Sequence, residues 1–308
     1  MKSKDKASRF EKEKTNTINL RKFYLRRILR IWPLYYLSIF FSLILVYFQI
    51  VPSPNNITTS TLLYVFLMAN IAYALKFIIQ SIAPLWSVGV EEQFYIVWPL
   101  IIKRTKNYLP TFIGIILSYL ILKLFIYYYF TPESNYYKLI NITKIDILCL
   151  GAIGAFLVYS KSKYLSIFYR TEIQILSWCA LTFGILIQPI HIFSFIDAEI
   201  NAIFYLIIII NVATNENAII SLENKPFNFL GRISYGIYIY NIIIIYSLSA
   251  LLNHFQLTFN YLIIFSLIIT LTITISHLSY KYFETPFLKM KHKFSVIKSS
   301  NISQNQII

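Results

Sequence analysis

The stretch PLWSVGVEEQFYIVWPL, residues 84–100, contains the side chains best suited to chemistry, because two adjacent acids interrupt an otherwise apolar run. An ionised carboxylate at membrane depth costs about 2.5–3.5 kcal/mol on insertion scales, so an acid in such a run indicates a functional site. Glu91 shares a helical face with Tyr95, which predicts an acid–base or orienting role for Glu91. The alternative is that this stretch is a helix start near the interface, capped by Ser87. The helix dipole would then favour the negative charges of Glu91 and Glu92, and one of the two acids would be solvated.

A second candidate site lies in RKFYLRRILRIWPLYY, residues 21–36. Arg26 and Arg27 precede Arg30 by four and three residues, so a helix brings all three side chains to one face. The planar guanidinium group donates paired hydrogen bonds to phosphate, and this arginine patch therefore predicts a site for an anionic group. The alternative is a membrane anchor in which the same arginines contact lipid head groups.

Three polar residues in later apolar stretches are further candidates. Asp146 lies near the start of one stretch, where we expect it to cap a helix at the interface or to pair with Lys144 or an arginine. Asn241, near the middle of another, favours a hydrogen bond between helices over a ligand role. Glu284 ends the last stretch and is expected to pair with Lys281 or with the arginine patch.

The whole chain has the composition of a membrane protein, because 57% of its 308 residues are apolar and 13% are charged. Soluble domains carry about 25% charged residues. The apolar residues form blocks of roughly 17–22, which as helices span ~30 Å of hydrocarbon. We therefore predict an all-α, polytopic membrane helix bundle. No basic soluble domain is visible, which argues against a nucleic-acid partner, and Cys149 and Cys179 lack the spacing of metal ligands, so no metal is expected.

The distribution of Lys and Arg sets the expected topology, because cytoplasmic loops carry the excess of positive charge. Eleven basic residues and three acids precede the first apolar block. If that end is cytoplasmic, alternating crossings place the other basic loops and the basic C-terminal tail inside as well. This arrangement holds only if segment 62–82 does not cross the membrane fully and is instead re-entrant or lies at the surface. Such a segment must be covered by protein or water. The eight crossings are then expected at about 31–51, 85–102, 109–130, 144–160, 171–189, 198–213, 232–252 and 260–279.

These expectations divide the chain into three parts. Residues 1–30 form a basic cytoplasmic segment, 31–288 the transmembrane domain, and 289–308 a disordered cytoplasmic tail. The protein is expected in the cell membrane, in contact with its lipid and with both termini in the cytoplasm.

Five motifs, in order over nearly the whole chain, resemble membrane-bound acyltransferase family 3, whose members O-acetylate cell-surface polysaccharides. The two stretches quoted above resemble its RRxxRIxPxY-like and LWSLSVEEQFYLxxP-like segments. A DxLxxGxxxA-like stretch, an LGxISYxxYLxH-like stretch and a terminal ExPF-like stretch follow. The matching positions include Arg26, Arg27, Arg30, Pro33, Trp86, Ser87, Glu91, Glu92, Tyr95, Asp146, Gly151, Gly231, Tyr235, Tyr238, Glu284 and Pro286.

The resemblance implies an acyl-CoA donor, such as acetyl-CoA, on the cytoplasmic side and an acyl group passed to a hydroxyl of a cell-surface or lipid-linked glycan. The arginine patch would then bind the phosphates of CoA. Glu91 would orient the reacting hydroxyl or take its proton, and Tyr95, Ser87 or Arg30 would stabilise the developing oxyanion. Trp86, Asp146, Tyr235, Asn241 and Glu284 would form a supporting polar network.

The chain departs from the family in two places. The family normally begins with two further spanning helices, the first carrying an arginine and a histidine, whereas this chain starts in the basic loop expected after them. We therefore expect a truncated member that acts with a separate N-terminal fragment or is inactive alone. The histidine that ends the LGxISYxxYLxH-like stretch is Asn241 here. The alternative function is a non-enzymatic membrane protein, either a glycan or lipid transporter or an inactive remnant, although the repeats typical of transporters are not visible.

Overall fold

The computed structural model describes residues 19–187 and 195–293, and each regular element in that part of the chain is a helix. Six of the described helical segments are long and apolar enough to cross a membrane. The prediction of an all-α, polytopic membrane helix bundle is therefore confirmed. The six segments are Leu20–Tyr47, Tyr108–Tyr129, Asn135–Tyr159, Asp197–Thr214, Lys225–His254 and Tyr261–Lys291.

The helices are labelled here in chain order. Two short elements are not α-helical, a 3₁₀ helix at Gln80–Leu85 and a π-helical turn at Ser279–Glu284. The α-helices are α1 Leu20–Tyr47, α2 Ile57–Val65, α3 Ala69–Ala74, α4 Trp86–Arg104, α5 Tyr108–Tyr129, α6 Asn135–Thr143, α7 Ile145–Tyr159, α8 Leu165–Phe168, α9 Thr171–Leu186, α10 Asp197–Thr214, α11 Lys225–His254, α12 Tyr261–Leu278 and α13 Thr285–Lys293.

The remaining two predicted crossings are helical but differ from the six in length or polarity. Helix α9 is apolar and has 16 residues, fewer than the roughly 20 that a straight span needs. Helix α4 has 19 residues but includes Glu91, Glu92 and two basic residues in its last turn. For these two helices, membrane crossing stays a prediction.

The described residues form two compact units. The first contains residues 19–89 and 229–293, and the second contains residues 90–228. The boundaries predicted near residues 30 and 288 fall inside α1 and α13, so helical structure continues through both positions. Residues 1–18 and 294–308, which include most of the tail predicted to be disordered, lie outside the described residues.

Segment 62–82 in the first unit does not form one long helix, as expected for a segment that does not cross the membrane. Leu67 and Lys76 have φ angles of 61° and 63°, a left-handed conformation that ends α2 and α3. Tyr64 and Ile79 are fully buried, and the Tyr35 hydroxyl donates to the Tyr64 carbonyl at 2.8 Å. Protein therefore covers much of this segment, which satisfies the requirement for non-helical backbone at membrane depth.

Close backbone approach shapes the first unit in two places. A Cβ atom on Gly89, in the first turn of α4, would lie 3.1 Å from the carbonyl oxygen of Leu67. A Cβ atom on Gly236 would lie 3.1 Å from Cβ of Ser276, so α11 and α12 touch at this position. Small residues at such contacts allow membrane helices to pack closely.

The second unit is built from α5 to α10 and the greater part of α4. Helices α5, α7 and α10 pack side by side, with α9 against α10. Lys144, with a φ angle of 43°, separates α6 from α7. A Cβ atom on Gly154 would lie 2.5 Å from Leu206 Cδ1, so α7 and α10 approach each other closely at this glycine.

Candidate functional site

The arginine patch lies on α1, in the first unit. Asn19 begins this helix by accepting a hydrogen bond from the Lys22 backbone at 3.0 Å, a common helix cap. Residues 26–30 are therefore helical, as predicted. Arg26 and Arg27 are half-buried, and the Arg27 guanidinium lies 5.7 Å from the centre of the Phe23 ring. Such a contact between a guanidinium group and an aromatic ring restrains the long side chain of Arg27.

Helix α11 holds α1 in place immediately after the patch. The Tyr235 hydroxyl donates a hydrogen bond of 3.0 Å to the backbone carbonyl of Ile31. Tyr235 was predicted to belong to the supporting polar network. In the structure its phenol links the helix of the SYxxY-like motif to the helix of the arginines.

Lys291 adds a fourth basic side chain that sequence reasoning missed. Helix α13 packs against α1, and half-buried Lys291 interacts electrostatically with Arg30, Arg27 and Arg26. The only available signal was the basic C-terminal stretch, which does not show which lysine turns towards α1. Like charges repel one another, so a cluster of four cations favours a ligand with several negative charges.

Ser87 forms a short chain of hydrogen bonds with α11 and the 3₁₀ helix. The Tyr238 hydroxyl donates to the backbone carbonyl of Pro84, and it lies 2.7 Å from Ser87 Oγ. A phenol has one proton, so Ser87 must be the donor in its bond with Tyr238. Ser87 can act as an oxyanion donor only by releasing Tyr238.

The alternative role of Ser87 as a helix cap is not seen. The 3₁₀ helix Gln80–Leu85 runs directly into α4, so Ser87 is inside a continuous helical stretch and not ahead of its first turn. Trp86, the preceding residue, packs with its ring 6.1 Å from that of Tyr73.

Glu91 and Glu92 occupy different environments on α4 because adjacent helical residues point about 100° apart. Glu91 is half-buried, and the Tyr95 hydroxyl donates to its Oε2 atom over 3.4 Å. Glu92 is 6% exposed and is therefore the more buried acid. The pairing of Glu91 with Tyr95 agrees with the predicted shared face, and the catalytic roles of Glu91, Tyr95 and Ser87 stay predictions.

Glu284 belongs to a buried polar chain at the π-helical turn. It is 8% exposed, and the Ser279 hydroxyl donates to its Oε1 atom over 3.4 Å. The Tyr240 hydroxyl in turn donates to Ser279 Oγ at 3.0 Å. The described partner of Glu284 is thus Ser279 and not Lys281, which is exposed. The π turn produces this pairing by placing Ser279 and Glu284 five residues apart on one side of the chain.

Asn241 makes a local contact. Its Oδ1 atom accepts from the backbone N–H of Ile242 at 2.6 Å, within its own helix. The predicted hydrogen bond to a second helix is not seen among the described contacts of this side chain. No histidine stands at this position, and an amide cannot replace an imidazole as a base.

Asp146 belongs to the second unit, whereas the other predicted network residues belong to the first. It is 1% exposed in the first turn of α7. Its carboxyl group interacts with that of Glu199 and with the positive charge of Lys123. The predicted pairing with Lys144 or an arginine is therefore wrong. Lys144 is the left-handed linker before α7, and α5 and α10 supply the charged neighbours instead.

Comparison with known proteins identifies the kind of chain that carries these residues. The family described as an acyltransferase domain matches residues 12–281. O-acetyltransferase OatA from Staphylococcus aureus (strain NCTC 8325 / PS 47) is 26% identical over 306 residues, covering 91% of this chain and 49% of OatA. SAR0937 from S. aureus (strain MRSA252), whose name assigns it O-acetyltransferase activity provisionally, is 29% identical over 320 residues, covering 96% of this chain and 52% of SAR0937.

The chain thus spans about half the length of the curated relatives it matches. No solved structure matches it.

Proposed function

This chain belongs to acyltransferase family 3, and we propose that it is a membrane O-acyltransferase that moves an acyl group from acyl-CoA to a hydroxyl of a cell-surface or lipid-linked glycan. Acetyl is the proposed acyl group because the relatives are named O-acetyltransferases. The proposed location is the cell membrane, with both termini and the donor on the cytoplasmic side.

The cluster of Arg26, Arg27, Arg30 and Lys291 is the observation that carries this proposal. CoA bears several phosphate groups, and guanidinium forks bind phosphate through paired, charge-assisted hydrogen bonds. Two of the cluster's three arginines, Arg26 and Arg27, are half-buried, and Tyr235 holds the helix that carries them, so these cations are positioned before a ligand arrives. Pre-organised charges bind an anion with a smaller entropic cost than free surface side chains.

The proposed reaction needs one base and a set of hydrogen-bond donors. The glycan hydroxyl oxygen attacks the thioester carbonyl, a C–O bond forms, the C–S bond breaks, and the hydroxyl proton passes through the base to the departing thiolate. We assign the base to Glu91, whose carboxylate is oriented by the Tyr95 hydroxyl. Ser87, after releasing Tyr238, and Tyr95, after releasing Glu91, are the proposed donors to the transient oxyanion.

A binding experiment separates a phosphate site from a lipid anchor. The purified chain in lipid nanodiscs is titrated by equilibrium dialysis with CoA and with pantetheine, which shares the thiol arm but lacks the nucleotide phosphates. The proposal predicts that CoA binds at least about tenfold more tightly, the equivalent of one charge-assisted contact. Equal affinity for the two compounds would assign the arginines to lipid head groups instead.

A further inference from the structure

Three charged side chains that have no part in the proposed acyl transfer meet in the interior of the second unit. Lys123 on α5 is 5% exposed and Asp146 on α7 is 1% exposed. Lys123 Nζ lies 2.7 Å from Glu199 Oε1 on α10, and the Glu199 side chain is 15% exposed. Such groups are rare in membrane helices because each costs free energy to bury, so a cluster of three requires an explanation.

The carboxyl groups of Asp146 and Glu199 are neighbours in this cluster. One oxygen of each already has a donor, since Asp146 Oδ1 accepts from the Ile147 backbone at 2.9 Å and Glu199 Oε1 accepts from Lys123. The other two oxygens, Asp146 Oδ2 and Glu199 Oε2, are buried and accept from no donor atom of the described residues. Ionised carboxylates are acceptors only, so two of them can share a hydrogen bond only through a proton.

The charge balance supports the same conclusion. With both acids ionised, the cluster would carry one uncompensated negative charge in a buried site, which is strongly unfavourable. With one proton on the acid pair, one carboxylate balances the Lys123 ammonium and the cluster is neutral. The Lys123–Glu199 contact indicates that the ionised form resides mainly on Glu199 and the proton mainly on Asp146.

Among the described residues, the other titratable groups on the surrounding helices do not donate to Asp146 Oδ2 or Glu199 Oε2. Tyr119 on α5 donates its hydroxyl proton to the Ile140 carbonyl at 2.7 Å, and Tyr127 donates to Asn141 Oδ1 at 2.5 Å. Cys149, one turn after Asp146, is a weak donor. Helix α9, which packs against α10, contributes Glu172 and Cys179, both of them exposed.

We propose that Asp146 and Glu199 form a proton-binding site, which holds one exchangeable proton between their carboxyl groups while Lys123 neutralises the remaining charge. This site is independent of the proposed acyl transfer. All three groups lie at the same end of the unit, because Lys123 is in the last two turns of α5 and both acids are in the first turns of their helices. The positive-inside rule assigns that end to the face opposite the basic loops 103–106 and 161–170. The site therefore exchanges its proton with the non-cytoplasmic side.

Infrared spectroscopy detects the proton directly, because a protonated carboxylic acid has a C=O stretching band that an ionised carboxylate lacks and that shifts in D₂O. The purified chain in nanodiscs is measured at neutral pH in a Glu92→Gln/Glu284→Gln background, which removes any contribution from the two other buried acids of the described residues. We expect a band from one carboxyl group per chain, which disappears in Asp146→Asn and in Glu199→Gln. In Lys123→Met the pair needs a second proton for neutrality, so the band should double.

The control is Glu172→Gln, which removes an exposed acid of the same unit and should leave the band unchanged. Asn and Gln are close in size to the acids they replace, and circular dichroism checks that each variant remains helical. Absence of the band in the Glu92→Gln/Glu284→Gln background overturns the proposal without any further variant. A band that survives both Asp146→Asn and Glu199→Gln, or that fails to increase in folded Lys123→Met, overturns it as well.

Discussion

The Tyr235 hydroxyl donates a 3.0 Å hydrogen bond to the backbone carbonyl of Ile31, one residue after the last arginine of the patch. This bond connects the helix of one sequence motif to the helix of another within the first unit. The phenol is part-buried and the bond spans 204 residues of sequence, so tertiary packing maintains it. It fixes the rotation of α1, and therefore the direction in which the arginines point.

Replacing Tyr235 by Phe tests this positioning role. A net hydrogen bond contributes about 0.5–1.5 kcal/mol, so we expect about a threefold to tenfold rise in the KM for acyl-CoA with a smaller change in kcat. Steady-state kinetics with varied acyl-CoA measure both constants. Tyr261→Phe is the matched control, because Tyr261 is 89% exposed in the same unit. A fall in kcat with an unchanged KM would contradict a role in donor positioning.

Lys291 is expected to contribute directly to binding of the donor. In Lys291→Gln one of four clustered charges is lost, and CoA affinity should fall about tenfold, as for one charge-assisted contact. The salt dependence of binding should weaken at the same time, since fewer cations attract the phosphates. Lys289→Gln removes an exposed lysine of the same helix and serves as the control. Equal effects of the two substitutions would show that only the general positive field matters.

The hydrogen-bond donors assigned around Tyr238 predict which of two variants, Tyr238→Phe or Ser87→Ala, loses more stability. Tyr238→Phe removes the bond to the Pro84 carbonyl and the acceptor of Ser87, whereas Ser87→Ala removes one bond. We expect the free energy of unfolding to fall by about 1–3 kcal/mol for Tyr238→Phe and by about 0.5–1.5 kcal/mol for Ser87→Ala. Thermal unfolding in nanodiscs gives the order. A larger loss for Ser87→Ala would mean that the proton directions are reversed.

The contact between α11 and α12 can be tested with two glycines of one helix. Gly236→Val places a side chain against Ser276, and overpacking of this kind costs about 1–3 kcal/mol. Gly231→Ala meets no atom within 4 Å and should stabilise the helix by about 0.5–1 kcal/mol through backbone entropy. The melting temperatures of the two variants should move in opposite directions. Tolerance of Gly236→Val would show that α11 and α12 are not closely packed at this point.

Much of the fold was predictable because it depends on local patterns. The apolar blocks predicted helices, and the spacing of Arg26, Arg27 and Arg30 predicted their common face on α1. The distribution of basic loops predicted that segment 62–82 does not cross the membrane, and its helical structure is interrupted at left-handed Leu67 and Lys76.

Interactions between distant segments were not predictable in the same way. Nothing in the spacing of Lys123, Asp146 and Glu199 relates them, because three separate helices bring them together. Lys291 joins the arginines through the packing of α13 on α1, and its neighbours in sequence are equally basic. The greater burial of Glu92 compared with Glu91 depends on which side of α4 is covered, and a segment with apolar residues on several faces does not specify that side.

Transfer of label from acetyl-CoA tests the central claim most directly. Membranes containing the full chain are incubated with acetyl-labelled CoA and a cell-envelope glycan fraction, and base-labile label in the glycan is counted. The account predicts transfer by the wild-type chain, a rate at least about 100-fold lower in Glu91→Gln because a general base is lost, and an unchanged rate in Glu216→Gln, whose side chain is exposed. Full transfer by Glu91→Gln would remove Glu91 from catalysis, and absence of transfer by the wild-type chain, with CoA bound, would contradict the proposed acyltransferase activity.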